Sequence, residues 1–230
     1  MKNINWQDDK DIYGRLLLLT NNPIFNNLRN AVDNHNADLS DALSWGQLKS
    51  KRWLINELEK QNLDLGVVFI CAGWYATLAA MLFNSNCSIT SIRSFDIDES
   101  CANIAETINK HNTIDNWKFK ASTLDILKMN FPTEHKTYRA NKTSLILREM
   151  PNTIINTSCE HIENFIDWFN LIPAGKLIAL QSNNYFEIDD HVNCVNSLDE
   201  FKQHAPLSNI IYEGELKLEK YTRYMLIGYV

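Results

Sequence analysis

Residues 65–83 read LGVVFICAGWYATLAAMLF without a single charge, and this stretch restricts the fold more tightly than any other. About 20 apolar residues suffice to cross a bilayer as a helix, so the segment is either a span or the buried centre of a globular fold. Its residue order argues against one continuous helix. Val67, Val68, Phe69 and Ile70 are β-branched or aromatic and suit a strand, whereas the run from Leu78 to Phe83 favours a helix. Between them lies Cys71-Ala72-Gly73-Trp74-Tyr75, with a glycine where the character changes. The expected structure is strand, tight turn, helix, with no membrane segment. The flanks agree, since Glu57, Glu59, Lys60 and Asp64 are mixed in sign and Asn84, Ser85 and Asn86 are neutral. The first residues, MKNINWQDDKD, lack the apolar core of a signal peptide.

Beyond Asp64, short apolar runs alternate with amphipathic helices, the sequence form of a parallel sheet covered on both faces. Strands are expected at 67–70, 88–97 and 117–122. For the fourth, both Ser144–Leu147 and Thr153–Asn156 qualify, separated by Pro151; the second is favoured because it runs directly into a helix. That helix repeats apolar residues at Ile162, Phe165, Ile166 and Phe169 and ends at Pro173 and Gly175. A fifth strand follows at 176–181, then a capping box at Ser197-Leu198-Asp199-Glu200, then an antiparallel hairpin over 210–216 and 221–230. Before residue 62 the chain is polar and helical in pattern. This divides it into an N-terminal helical cap, 1–62, packed on a main domain, 63–230.

A net charge of −6 gives no electrostatic footprint for binding long nucleic acid. The five cysteines form no Cys-x-x-Cys pair and read as buried thiols of a reducing, cytoplasmic compartment. In a parallel sheet, ligands bind outside the carboxyl ends of the strands, which directs attention to four turns. Gly73 in the first would let a ligand approach the backbone, with the N–H groups of the next helix nearby, or it simply relieves a tight turn. In the second, about two dozen residues on, Asp96 ends a strand at the position suited to hold both hydroxyls of a ribose. Asp98 competes for that task but can also cap the following helix.

The order of first turn, acidic strand-two end, Asp125 after strand three, Asn156 after strand four and terminal hairpin resembles the class I S-adenosylmethionine-dependent methyltransferases, over about residues 50–230. The resemblance implies a Rossmann-like α/β fold, with a mostly parallel seven-stranded sheet, a C-terminal antiparallel hairpin and N-terminal helices. It implies S-adenosylmethionine as cofactor, S-adenosylhomocysteine as product and no metal. Cys71, Ala72 and Gly73 would hold the amino-acid part of the cofactor, Asp96 with its neighbour Ile97 the ribose side, and Asp125 the adenine. Two departures stand out. Phe69 replaces the family's acid and only Gly73 remains of Gly-x-Gly-x-Gly, while no Pro-Pro-aromatic follows Asn156.

Asn156, Glu160 and His161 are the candidate catalytic residues, the last two as base and orienter. The pattern Thr157-Ser158-Cys159-Glu160 is equally a capping box, which would occupy Glu160 structurally. Cys159 is a further candidate, although no second Cys/His pair of suitable spacing supports a metal. Gln181 and Asn183 after strand five suit a small polar acceptor. Trp6, Tyr13, Trp45, Arg52 and Trp53 either line the acceptor pocket or pack. The expected activity is methyl transfer to an N or O nucleophile of a small molecule, without nucleic acid or membrane as partner. A tRNA or rRNA base as acceptor, and a non-catalytic binding protein of the same fold, are the alternatives.

Overall fold

The computed structural model describes residues 6–114, 117–138 and 143–230; residues 1–5 of the N-terminal segment, like the side chain of Trp6, lie outside the described residues. The described chain begins with three helices, α1 (Trp6–Thr20), α2 (Ile24–His35) and α3 (Trp45–Gln61). There follow β1 (Asp64–Cys71), α4 (Thr77–Phe83), β2 (Ser88–Asp96), α5 (Cys101–Ile108), α6 (Lys110–Ile114) and β3 (Phe119–Thr123). A hairpin of β4 (Thr133–Tyr138) and β5 (Ser144–Glu149) precedes β6 (Thr153–Asn156), α7 (Phe165–Leu171) and β7 (Leu177–Asn183). The chain closes with α8 (Leu198–His204), β8 (Asn209–Lys217) and β9 (Thr222–Tyr229).

Seven strands form one sheet in the order β3-β2-β1-β6-β7-β9-β8. All neighbours from β3 to β7 are parallel, and β9 runs antiparallel to both β7 and β8. The opening apolar stretch is explained by β1's central place. Val68 and Ile70 pack on one face with Leu54, Ile55 and Leu58 of α3 and Leu78 and Leu82 of α4. Phe69 and Cys71 pack on the other with Phe95, Trp168, Phe169 and Leu180. A strand buried on both faces has no use for polar alternation. No helix among the described residues is long and apolar enough to cross a membrane. The N-terminal helices dock on the same body: α3 belongs to the first core, while Leu28, Ala31 and Val32 of α2 pack with Ile104 and Ile108 of α5.

Both candidates for the fourth strand are strands, but only β6 joins the main sheet, beside β1. β5 pairs with β4 in a separate two-stranded sheet, from Thr133↔Glu149 to Tyr138↔Ser144. Pro151, which has no N–H to give a ladder, separates the two. The hairpin is tied to the sheet by Arg93 of β2, whose Nε and Nη2 donate to Glu149 at 2.7 and 2.9 Å. His135 Nε2 lies 2.5 Å from the same carboxylate. The helical spacing through Ile162 and Ile166 needs correction. Residues Cys159–His161 form a 3-10 turn and α7 starts only at Phe165, so Ile166 is 46% exposed and Trp168 takes the buried position.

Candidate active site

The carboxyl ends of the parallel strands bring Cys71, Asp96, Thr123, Asn156 and Asn183 to one rim, and the antiparallel β9 adds Arg223 opposite Asn183. The first turn is strained where no glycine stands: Ala72, Trp74 and Ala76 have φ of +53°, +48° and +51°. Each left-handed non-glycine residue costs about 1–2 kcal/mol, and such strain persists where surrounding structure fixes a turn for a purpose. Gly73 is required for a different reason from ligand approach. A Cβ there would lie 2.1 Å from Ser94 Oγ of β2, so the glycine lets the turn sit down on the neighbouring strand. Its N–H donates to Phe95 O at 3.0 Å. The Cys71 side chain is buried, with its thiol pushed up to about 12 by burial, so it meets the rim only through its backbone. Trp74 and Tyr75 stack at 4.6 Å, and Tyr75 packs against the α2–α5 core. The following α4 has only seven residues and no side-chain cap.

Asp96 is part of that turn. Its Oδ2 accepts from Trp74 N at 2.7 Å and its Oδ1 from Asp98 N at 3.0 Å, which fixes the carboxylate and leaves each oxygen a further lone pair. Asp98 instead serves locally, its Oδ1 accepting from Ser100 N at 2.8 Å. Beside Asp96, Ile97 is 71% exposed, an apolar surface with no core to join. Asp125 caps the 3-10 turn Ile126–Lys128 by accepting from Leu127 N at 3.0 Å. The bond and charge of Lys128, 2.9 Å away, outweigh burial and hold the Asp125 carboxyl below its ordinary range.

On the other side of β1, the capping box at Thr157 does not form. Ser158 N donates to Asn156 Oδ1 at 2.8 Å, and Glu160 turns inward. Glu160 is 2% exposed; its Oε1 accepts from Asn183 Nδ2 at 2.7 Å and from Arg223 Nη2 at 3.0 Å. Arg223, 3% exposed, also donates to Thr157 O at 2.8 Å. Gln181 and Asn183 are wholly buried; Gln181 Nε2 donates to Ser50 O of α3 at 3.0 Å, and Asn183 Oδ1 accepts from Tyr185 N at 2.8 Å. They therefore brace the rim from inside. Cys159 is buried too, its thiol driven well above the ordinary range by burial, which rules out a ready thiolate. Asn156 Nδ2, Glu160 Oε2, Gln181 Oε1, Ser182 Oγ and Arg223 Nε are buried polar atoms without a hydrogen-bond partner among the described residues. Buried polar groups are seldom left so, and here four fall toward the ends of three neighbouring strands and the fifth in the turn after β6.

Over these strand ends opens a cavity of about 650 Å³, within the size range of small-molecule sites. Its wall includes Glu160, His161 and Arg223, the stacked rings of Tyr185 and Tyr221 at 5.2 Å, and Trp45, which is 79% exposed. Of the other aromatics expected near an acceptor, Tyr13 packs on the α2 core and Trp53 Nε1 bonds Tyr212 Oη at 3.1 Å; Arg52 is exposed. Two residues escape a sequence reading. Lys51 is buried on α3, and burial, with the charge of Arg223, pulls its ammonium down to about 7 against Asp41 and Glu160. His191, from the loop after β7, closes on His161 with ring centroids 4.6 Å apart. Its place just past the fourth strand marks Glu160 in the sequence, but nothing local marks its partner Arg223.

No protein-family model and no curated protein sequence matches the chain. Solved structures do. Magnesium protoporphyrin IX methyltransferase from Synechocystis PCC 6803 with bound S-adenosylmethionine is 12% identical, with a TM-score of 0.54 over 100% of this chain and 99% of that one. The N-methyltransferase NodS from Bradyrhizobium japonicum WM9 is 8% identical, with a TM-score of 0.54 over 80% of this chain and 95% of that one. Geranyl diphosphate methyltransferase in complex with its substrate and sinefungin is 10% identical, with a TM-score of 0.53 over 80% and 77%. The chain has the fold these S-adenosylmethionine-dependent methyltransferases share.

Proposed function

We propose that the protein transfers a methyl group from S-adenosylmethionine to an N or O nucleophile of a small polar acceptor. The observation that carries this reading is the order of groups along the rim. Asp96 and the strained first turn lie on β2 and β1, the acceptor cavity lies over β7 and β9, and Asn156 at the end of β6 stands between them.

The residues present fit the cofactor. Asp96 offers two oxygens with spare lone pairs to a pair of ribose hydroxyls, and Ile97 offers an exposed apolar face to the adjoining adenine. Asp125, whose carboxylate is held by Leu127 N and Lys128, would meet the adenine. The chain supplies position and exclusion of water, because the sulfonium is already activated. In the transfer, the acceptor's lone pair forms the new bond to the methyl carbon as the carbon–sulfur bond breaks. The sulfur keeps that electron pair as a neutral thioether, and the acceptor's proton leaves to a base. Glu160 Oε2, His161 and His191 line the acceptor side and are among the groups within the cavity able to take or direct that proton. The rings of Trp45, Tyr185 and Tyr221 favour a flat or partly apolar acceptor body.

Titration calorimetry of the full chain with S-adenosylmethionine and S-adenosylhomocysteine tests the reading. Micromolar binding of both, weakened in Asp96→Ala, supports it; absence of heat with either ligand overturns it.

A further inference from the structure

We propose that Glu160, His161 and His191 form a binding site for a first-row divalent transition-metal ion, such as Zn²⁺, in the wall of the acceptor cavity. The three residues bring one ligand atom each to within 4.8 Å of one another. All three line the cavity, so the ion would face its contents.

The protonation of the two rings is set by their neighbours. His161 Nδ1 lies 3.0 Å from Asp190 O and His191 Nδ1 lies 2.7 Å from Tyr185 O. A carbonyl oxygen only accepts, so both Nδ1 atoms carry a hydrogen, and in the neutral rings both Nε2 atoms keep a lone pair for an ion. A ring N–H fixed on a backbone carbonyl is the support that metal-bound histidines ordinarily have. The carboxylate is prepared in the same manner. Glu160 is 2% exposed, its Oε1 is held by Asn183 and Arg223, and its Oε2 is left without a partner. An unpartnered buried carboxylate oxygen is expensive, and a cation beside it removes that penalty.

The backbone holds the three together although His191 is 30 positions from His161 in the chain. Asn193 N donates to Glu160 O at 2.9 Å and Asn193 Nδ2 to Cys159 O at 3.1 Å, stitching the loop after β7 onto the 3-10 turn after β6. Metal–ligand bonds of about 2.0–2.2 Å require the ligand atoms to draw in by about 1 Å, a modest side-chain rotation. Two imidazoles and one carboxylate suit Zn²⁺, Fe²⁺, Co²⁺ or Mn²⁺ better than Ca²⁺ or Mg²⁺, which prefer all-oxygen sites. Arg223 opposes a cation here, while Asp41, also on the cavity wall, favours one. With three protein ligands, positions remain for an oxygen of the acceptor, whose hydroxyl the ion would acidify. That use of the ion rests on the methyl-transfer reading; binding of the ion itself does not.

The test is titration of the chelator-treated full chain with Zn²⁺ and Co²⁺, read by calorimetry and by the visible absorption of Co²⁺. One ion per chain, with affinity falling at least about tenfold in each of His161→Ala and His191→Ala, is the expected result. Glu160→Gln should weaken the ion similarly; because it disturbs Arg223, the two histidine variants, at exposed and half-buried positions, decide the matter. Absence of binding, or equal binding by His191→Ala with the wild-type melting temperature, overturns the site. A parallel titration with S-adenosylmethionine keeps the two readings apart, since loss of cofactor binding alone leaves the metal site standing.

Discussion

The Trp74 backbone N–H donates to Asp96 Oδ2 at 2.7 Å, so the first turn and the acidic end of the neighbouring strand are one unit. Asp96→Ala should lower affinity for S-adenosylmethionine by about tenfold or more, since each hydrogen bond to a charged group contributes about 1.5–3 kcal/mol. Asp96→Asn keeps the shape and one of the two acceptor oxygens and should lose less. Calorimetry on both variants checks the order; equal affinities for the two and for the wild type would remove Asp96 from the site.

Gly73 and Ser94 should be coupled. Gly73→Ala alone drives a methyl group onto Ser94 Oγ and should destabilise the fold by about 1–3 kcal/mol. Ser94→Ala removes the 2.1 Å contact and leaves Ile70 Cγ2 at 3.2 Å and Ser94 Cβ at 3.5 Å from the added carbon, so the double variant should recover most of the loss. Urea unfolding of the four proteins gives the interaction directly.

Acid should loosen the β4–β5 hairpin first. Burial alone would raise the Glu149 carboxyl, but bonds from His135 and Arg93 prevail and hold it at about 2, against an ordinary 4.5. A carboxylate with a depressed folded value contributes stability that is complete above pH 4.5 and lost as pH falls through about 2. The group is partly solvated, so screening limits its share to about 1–2 kcal/mol. Glu149→Gln should therefore be less stable than wild type at pH 7, with the gap in melting temperature closing as the pH falls over that window.

Lys51 should act with the opposite origin, burial opposing its charge. Its ammonium titrates near 7 when folded and 10.5 when unfolded, so between those values the unfolded chain binds more protons and stability rises with pH. Lys51→Met should be more stable than wild type at and below about pH 7, by about 2–4 kcal/mol. The advantage should vanish toward pH 10.5. Melting curves at several pH values check this, and a constant difference would mean that Lys51 stays charged in the fold. The groups that act on it are Arg223, which lowers its value, and Asp41 and Glu160, which raise it.

The amino-acid order alone determined what depends on neighbours in the chain. An uncharged run that is strand-like and then helix-like must bend at its glycine, and a strand buried on both faces carries no polar alternation, so β1, its turn and the parallel sheet were legible. The place of Asp96 at the end of β2 was legible as well, because a parallel strand delivers its last residue to the carboxyl rim. Only the tertiary structure decided why Gly73 is a glycine, since Ser94 lies on another strand. It also decided that Glu160 faces Arg223 and Asn183 from β9 and β7 instead of capping its own turn. The same holds for His191 beside His161, and for Lys51, which a long helix carries into the fields of Arg223 and Glu160. Local sequence fixes backbone periodicity and turn chemistry, but the charge environment of a buried group depends on residues that meet only when the sheet closes.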